Sequence, residues 1–206
     1  ATWTCSLAKP HSYYEATWRR MPGAGGPLLS NLVHEIDLLR HFFGEIATVQ
    51  AITSNGRRGF TVEDTATVAL RFVNGGLATL CISDAAVGPW AWDLSAGENL
   101  ARFPAHPVTA HHYAGSHAGL SLPDLMLWQA EGEPDWTRKL KPSRLEFKAG
   151  DPYEVQLSHF AGLIRHGGTP LVSARDATAN LIVLDAIAAA AESGNTVAVD
   201  LTPLQI

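Results

Sequence analysis

Four side chains recur at helical spacing between positions 30 and 41: Ser30, His34, Asp37 and His41. At about 100° per residue they fall within an arc of about 60°, so one helix carries them as a single polar stripe. Asn31 lies one step round from His34 and reaches over the same side. A histidine of ordinary pKa can take or relay a proton near neutral pH. Asp37, one turn on, is within reach to fix its tautomer. The stripe admits other uses. The spacing H-x2-D-x3-H, with His34, Asp37 and His41, offers three ligands to a metal. A structural network, with His34 bonded to Asp37, would satisfy the groups with no ligand at all. A dry core does not permit leaving them unpaired, since each such buried group costs about 1–3 kcal/mol.

The helix that must present this stripe is well marked. Pro27 suits its first turn and Gly44 the position just past its end. Leu29, Leu32, Ile36, Leu39 and Phe43 cover the side opposite the stripe, and Val33 and Leu38 flank it. Upstream, residues 1–24 read as an irregular lead-in: His11–Arg20 is a short helix or an irregular aromatic segment, and 21–27 is Gly/Pro punctuation. Downstream, Ile46–Thr53 reads as a strand. Asp64–Asp84 is a hairpin: Ala66, Val68, Leu70 and Phe72 alternate to one face, Asn74-Gly75 makes the turn, and Ala78, Leu80 and Ile82 resume the alternation. Thr65, Thr67, Thr79 and Ser83 give the other face, small and polar enough to meet solvent or another subunit. Trp90–Leu94 reads as a strand, 104–117 as a long loop, Leu120–Trp128 as strand, and Arg144–Phe147 as a short strand. Asp151 caps a helix that runs from Pro152 to His166, with Leu157, Phe160, Ala161 and Ile164 as its apolar face. Ser173 and Asp176 form a capping box for an Ala-rich helix ending at Gly194, and Thr196–Leu201 closes as a strand.

Runs of strands and runs of helices, without strict alternation, give an α+β fold. The expectation is an open, mainly antiparallel sheet with helices on one face, in a single domain over 1–206. The other face is left for self-association. The chain of 206 residues carries a net charge of −5 and is 46% hydrophobic. That is enough for a core, and it lacks the basic face that nucleic acid requires. No apolar run approaches the roughly 20 residues that span a bilayer. Two cysteines without motif spacing favour a reduced, cytoplasmic protein, with one disulfide left open.

Three stretches, GGPLLSNLVHEIDLLRHFFGEI (25–46), VEDTATVALRFVNGGLATL (62–80) and LVSARDATANLIVLDAIAAAAESGNTVAV (171–199), resemble the C-terminal domain of the Gfo/Idh/MocA-type oxidoreductases. The resemblance runs from roughly Tyr13 to Leu201. It implies an enzyme that oxidises or reduces a sugar, polyol or related hydroxy compound with NAD or NADP. The cofactor is then held in an N-terminal Rossmann domain outside this sequence. By the same resemblance His34 is the candidate proton-transfer residue, Asn31 helps bind substrate, and Asp37 orients or supports the histidine. Many family members have Asp where this sequence has Ser30.

Polyol recognition needs several hydrogen-bonding groups, and Ser30, Asn31, Tyr113 and the His111-His112 pair are the candidates; Trp18 and Arg19 precede the helix and are candidates to line the pocket. The glycines at 23, 25 and 26 follow a loop and have the wrong spacing for a dinucleotide fingerprint, so no cofactor-binding residue is assigned here. Lys9-Pro10 follows Ala8, not the Glu of the family's catalytic Glu-Lys-Pro, and Lys9 is not assigned that role. The chain then reads as the substrate and oligomerisation half of an enzyme, inactive by itself. A noncatalytic sugar-binding or oligomerisation module is the rival from another class.

Overall fold

The computed structural model describes residues 1–147 and 150–204. In chain order the elements are β1 (Thr2–Ser6), two 3-10 turns (His11–Glu15 and Thr17–Arg20), a π-turn (Leu28–Leu32), α1 (Val33–Phe43), β2 (Ile46–Ser54), β3 (Thr65–Phe72) and β4 (Leu77–Ser83). There follow α2 (Trp92–Ser95), β5 (His111–Ala114), β6 (Ala118–Leu122), β7 (Met126–Gln129), β8 (Lys141–Arg144), α3 (Pro152–His166), α4 (Ala174–Ser193), β9 (Val197–Ala198) and a last 3-10 turn (Thr202–Leu204). The class is α+β, as expected. The contacts divide the chain into two compact units. One holds Ala1–Cys5 and Pro89–Pro170, the other Ser6–Gly88 and Leu171–Ile206.

The second unit carries the seam helix. Its strands lie in the order β4-β3-β2-β9, and the hairpin forms in the expected register, with Val68 opposite Leu80. The alternation divides the faces cleanly. Val49, Ala66, Val68, Leu70, Phe72, Ala78, Leu80 and Ile82 are buried. Ile52, Thr67, Ala69, Thr79 and Cys81 are exposed on the other side. Ser83, expected on that open side, is buried instead: its hydroxyl bonds Asp64 O at 3.0 Å and accepts from the backbone of Ala85 and Ala86, so it ends the strand by tying its own turn. Against the inner face packs α4, which buries Ala179, Val183, Ala186, Ile187 and Ala190. Its capping box at Ser173 and Asp176 is formed, and Gly194 ends it in the left-handed conformation. Burying about ten aliphatic side chains, at about 1.5–3 kcal/mol each, is the main force holding this layer together.

Helix α1 packs on α4, and a polar clamp fixes the pair. Arg40 donates to both carboxylate oxygens of Glu45 at 2.7 and 2.8 Å, and to Asn180 Oδ1 at 2.6 Å. Asn180 in turn donates to Asp37 Oδ1 at 2.7 Å.

In the first unit the strands lie in the order β8-β7-β6-β5-β1. Its interior contains Trp3, Ala91, Ala110, His111 and Leu122. Several expectations change here. Residues 92–95 form the short helix α2 where a strand was expected, because Ala91 is extended and Ser95 folds back onto its carbonyl. The long loop holds a strand, β5, and the stretch 120–128 divides into β6 and β7 around Pro123, whose missing N–H cannot continue a ladder. Helix α3 has the predicted limits and cap, yet none of its residues is buried. Leu157, Phe160 and Ile164 are 61–71% exposed. An amphipathic pattern shows that a face is apolar and not what covers it. The closing strand shortens to Val197 and Ala198, beside β2.

Candidate functional site

The stripe is organised by its first turn. Leu28–Leu32 winds as a π-turn before the regular α-helix begins at Val33. Such turns carry one extra residue and are frequent at functional sites. Glu63 stands over the start of the helix, its Oε1 accepting from Leu28 N at 3.1 Å. Burial raises the Glu63 pKa, partly offset by that bond. The approach to the helix is equally constrained. A Cβ on Gly25 would collide with the Arg19 carbonyl, so only glycine lets the turn bearing Arg19 press against this entry.

Ser30 and Asn31 are half-buried, and Lys9 meets both. The Lys9 ammonium donates to Asn31 Oδ1 at 2.7 Å and to Ser30 Oγ at 3.0 Å. The Ser30 hydroxyl lies 2.7 Å from Gly26 O and 2.9 Å from Asn31 Oδ1, and its one proton serves either. Because an ammonium only donates, the Asn31 amide must turn its oxygen to Lys9, which leaves its NH2 facing outward. The Tyr13 ring supports Lys9, with Nζ 4.6 Å from its centroid, and Arg19 lies 4.0 Å from the same centroid.

Lys9 itself is braced from behind. Its backbone N–H donates to Asp84 O at 2.8 Å, and its carbonyl accepts from Arg58 Nη2 at 3.0 Å. Arg58 Nε pairs with Asp84 Oδ1 at 3.0 Å, and Tyr14 donates its hydroxyl to the other Asp84 oxygen. Burial first, and then the bond to Asp84, holds the Tyr14 phenol well above its ordinary pKa. Asp64, 2% exposed, accepts from the backbone N–H of Arg57 and Arg58 and so shapes the loop that presents Arg58.

His34 is exposed, one turn beyond Ser30 and Asn31 on the same helix. Asp37 does not bond to it and is held by Asn180. His41 is exposed, with its ring 5.6 Å from that of Phe42. Among the described residues no three His, Cys, Asp or Glu side chains converge on a metal position, so the metal reading of His34, Asp37 and His41 has no structural support. Trp18 is half exposed, 5.1 Å from the Arg19 guanidinium. Tyr113 belongs to the first unit, on β5, where its hydroxyl is 2.9 Å from His111 Nδ1. His111 is fully buried and accepts from Trp3 Nε1 at 2.6 Å through Nε2.

Lys9 is the site residue that sequence reasoning misses. A signal is present: Thr2–Ser6 alternates polar and apolar, which marks a strand and puts Lys9 just past its end. The contact with positions 30 and 31 spans 21 and 22 residues and has no local signature.

With this geometry in place, comparison with known proteins bears out the family resemblance. Residues 1–98 match the GFO/IDH/MocA C-terminal domain. The match takes in the seam helix and the hairpin, two of the three stretches on which the resemblance rests. Solved structures share the fold over nearly the whole chain. A levoglucosan dehydrogenase in complex with NADH and levoglucosan is 20% identical with a TM-score of 0.70, over 97% of this chain and 57% of that one. The WlbA dehydrogenase from Bordetella pertussis, in complex with NADH and UDP-GlcNAcA, is 19% identical with a TM-score of 0.63, over 97% and 54%. An NAD-binding protein from Listeria innocua is 16% identical with a TM-score of 0.67, over 98% and 54%. The chain thus spans a little over half the length of these structures. No curated protein matches the sequence.

The glycines beside the site do not fit the phosphates of a nicotinamide dinucleotide. The space next to Gly25 is filled by Arg19 backbone, and a Cβ on Gly26 would run into the Glu63 carboxylate. Among the described residues no helix is long and apolar enough to cross a membrane.

Proposed function

We propose that this chain is the substrate-binding and oligomerisation half of an NAD(P)-dependent oxidoreductase acting on a sugar, polyol or related hydroxy compound. The observation that carries the reading is an exposed His34 on the helix whose first turn presents Ser30 and Asn31 to Lys9, all within the family-matched residues. NAD or NADP, held by a Rossmann domain elsewhere in the polypeptide, supplies the acceptor for hydride. What this chain's residues do is bind, orient and move a proton. Asn31 and Ser30 bind substrate hydroxyls. The His34 imidazole takes the hydroxyl proton as an alcohol is oxidised, and returns it in the reverse direction. Asp37 supports this from below: bonded to Asn180, it fixes the helix that bears His34. The exposed face of β2–β4, with Ile52 77% and Leu77 59% exposed, is proposed as the contact between copies of the chain.

The test is reduction of NAD or NADP by a panel of sugars and polyols, using the complete polypeptide to which this sequence belongs. Turnover that falls about 10²–10⁴-fold in His34→Gln is the expected result. No reduction by any member of the panel, or unchanged turnover in the variant, overturns the proposal. Micromolar polyol binding by the isolated chain, with no turnover in the complete protein, would favour the noncatalytic module.

A further inference from the structure

We infer that the ligand of the Lys9–Asn31 cluster carries an anionic group, a carboxylate or a phosphate, on a hydroxylated carbon skeleton. The inference rests on the site reading above and adds the class of molecule that it takes.

Lys9, Asn31 and Arg19 each leave a donor without a hydrogen-bond partner among the described residues. Lys9 has three N–H groups and uses two, on Asn31 Oδ1 and Ser30 Oγ. The Asn31 oxygen is taken by Lys9, so its NH2 is what remains. Arg19 donates through Nη1 to Tyr13 O at 2.7 Å, and its Nε is buried without a hydrogen-bond partner among the described residues. Lys9 and Arg19 flank one aromatic ring, so their separation cannot exceed their two ring distances taken together.

Nor is the charge compensated from within. The partners of Lys9 are a hydroxyl and an amide, both neutral. No carboxylate lies within ion-pair distance of Lys9 or Arg19 among the described residues. The nearby acids are committed elsewhere: Asp84 to Arg58 and Tyr14, Asp64 to the loop at 57–58, and Glu63 to Leu28 N. Arg58 provides the contrast. Arg58, a structural cation of this unit, has the buried carboxylate of Asp84 as its partner. Lys9 and Arg19 have the Tyr13 ring, which attracts cations but leaves their N–H groups open. A neutral polyol would satisfy the donors only in part. A carboxylate or phosphate oxygen forms the charge-assisted bonds, roughly twice as strong, that such a donor set favours. A hydroxyl on the same skeleton then reaches His34.

The test is calorimetry on the complete polypeptide to which this sequence belongs, with glucuronate, glucose 6-phosphate and glucose. At least one anion is expected to bind about tenfold or more tightly than glucose. That preference should vanish in Lys9→Met and survive in Lys9→Arg, with Arg19→Gln lowering it. Circular dichroism of each variant separates loss of fold from loss of charge. A preference for glucuronate identifies a carboxylate, and one for glucose 6-phosphate a phosphate; either supports the inference. Glucose binding as tightly as both anions, absence of anion binding, or a preference unchanged in Lys9→Met overturns it. The enzyme reading fails separately. A chain that selects glucuronate, in a protein that never reduces NAD(P), keeps this inference and loses that one. A protein that turns over only neutral polyols does the reverse.

Discussion

The ammonium of Lys9 stands 2.7 Å from Asn31 Oδ1, and neither residue meets an opposite charge among the described residues. The bond sets the orientation of the amide and keeps the cation available.

Replacing Asn31 by Asp converts that bond into an ion pair within the protein. Glucuronate affinity in the complete polypeptide is then expected to fall about tenfold or more, because the carboxylate supplied by the mutation competes for Lys9. The melting temperature should hold or rise. Unchanged affinity measured by calorimetry would show that Lys9 does not face the ligand.

His34→Gln separates activity from stability. The imidazole is exposed, so stability should change by no more than about 0.5 kcal/mol. A loss of turnover without a loss of melting temperature is the expected pair of results. A drop in both would assign His34 a structural part.

Arg58→Met leaves Asp84, 3% exposed, as a buried carboxylate without its cation. About 3–5 kcal/mol of destabilisation follows from breaking such a pair on one side. Denaturant unfolding measures it. Asp84→Asn in the same background removes the orphaned charge and should recover part of the loss, which separates the charge effect from lost packing.

The first unit has its own acid sensitivity. A tryptophan N–H only donates, so His111 Nε2 must accept from Trp3, and the neutral ring carries its proton on Nδ1, toward Tyr113. Burial first, with a smaller contribution from His112, lowers the His111 pKa to about 4. An unfolded imidazole titrates near ~6.5. Stability is therefore whole above that pH and falls as the pH drops from ~6.5 to about 4, where the unfolded chain alone holds the proton. Below about 4 the loss levels off, at about 3 kcal/mol if the full shift counts. Acid titration followed by tryptophan fluorescence should show this slope, and His111→Gln should flatten it. An unaltered slope in the variant would place the sensitivity elsewhere.

Two apolar substitutions should differ sharply. Leu80→Ala, at a position 1% exposed inside the hairpin, is expected to cost about 2–5 kcal/mol. Phe160→Ser on α3, 61% exposed, should cost the isolated chain about 0.5 kcal/mol or less. Urea unfolding of both variants checks the contrast. A large loss at Phe160 would mean that α3 is covered in solution.

What is legible in the sequence follows from the range of the interactions. The hairpin, the caps at Asp151 and Ser173 and the apolar side of α1 are local patterns, and the alternation of Val68 and Leu80 can be read directly. The family resemblance gives weight to His34 and Asn31 on the same local grounds. Lys9 is not legible as a site residue, because its position depends on Arg58 and Asp84, which come together from three separate segments. The expected pairing of Asp37 with His34 fails for a similar reason. The hydrogen bond of Asp37 goes to Asn180, 143 residues away, and i,i+3 spacing gives no hint of that competitor. The exposure of Phe160 is equally beyond reach, since amphipathicity on α3 looks the same with or without a covering surface.

The widened turn at Leu28–Leu32 uncouples two angular settings that a straight helix would keep locked together. The hydrophobic anchors Leu32, Ile36 and Leu39 keep their register against the neighbouring layer, while the segment that enters at Pro27 and Leu28 is set round independently. Deleting a single residue at position 29 would straighten the winding, spare the anchors and turn the segment that enters the helix by about 100° relative to them. A fold built this way can re-aim the segment leading into its helix by a one-codon change without rebuilding its interior.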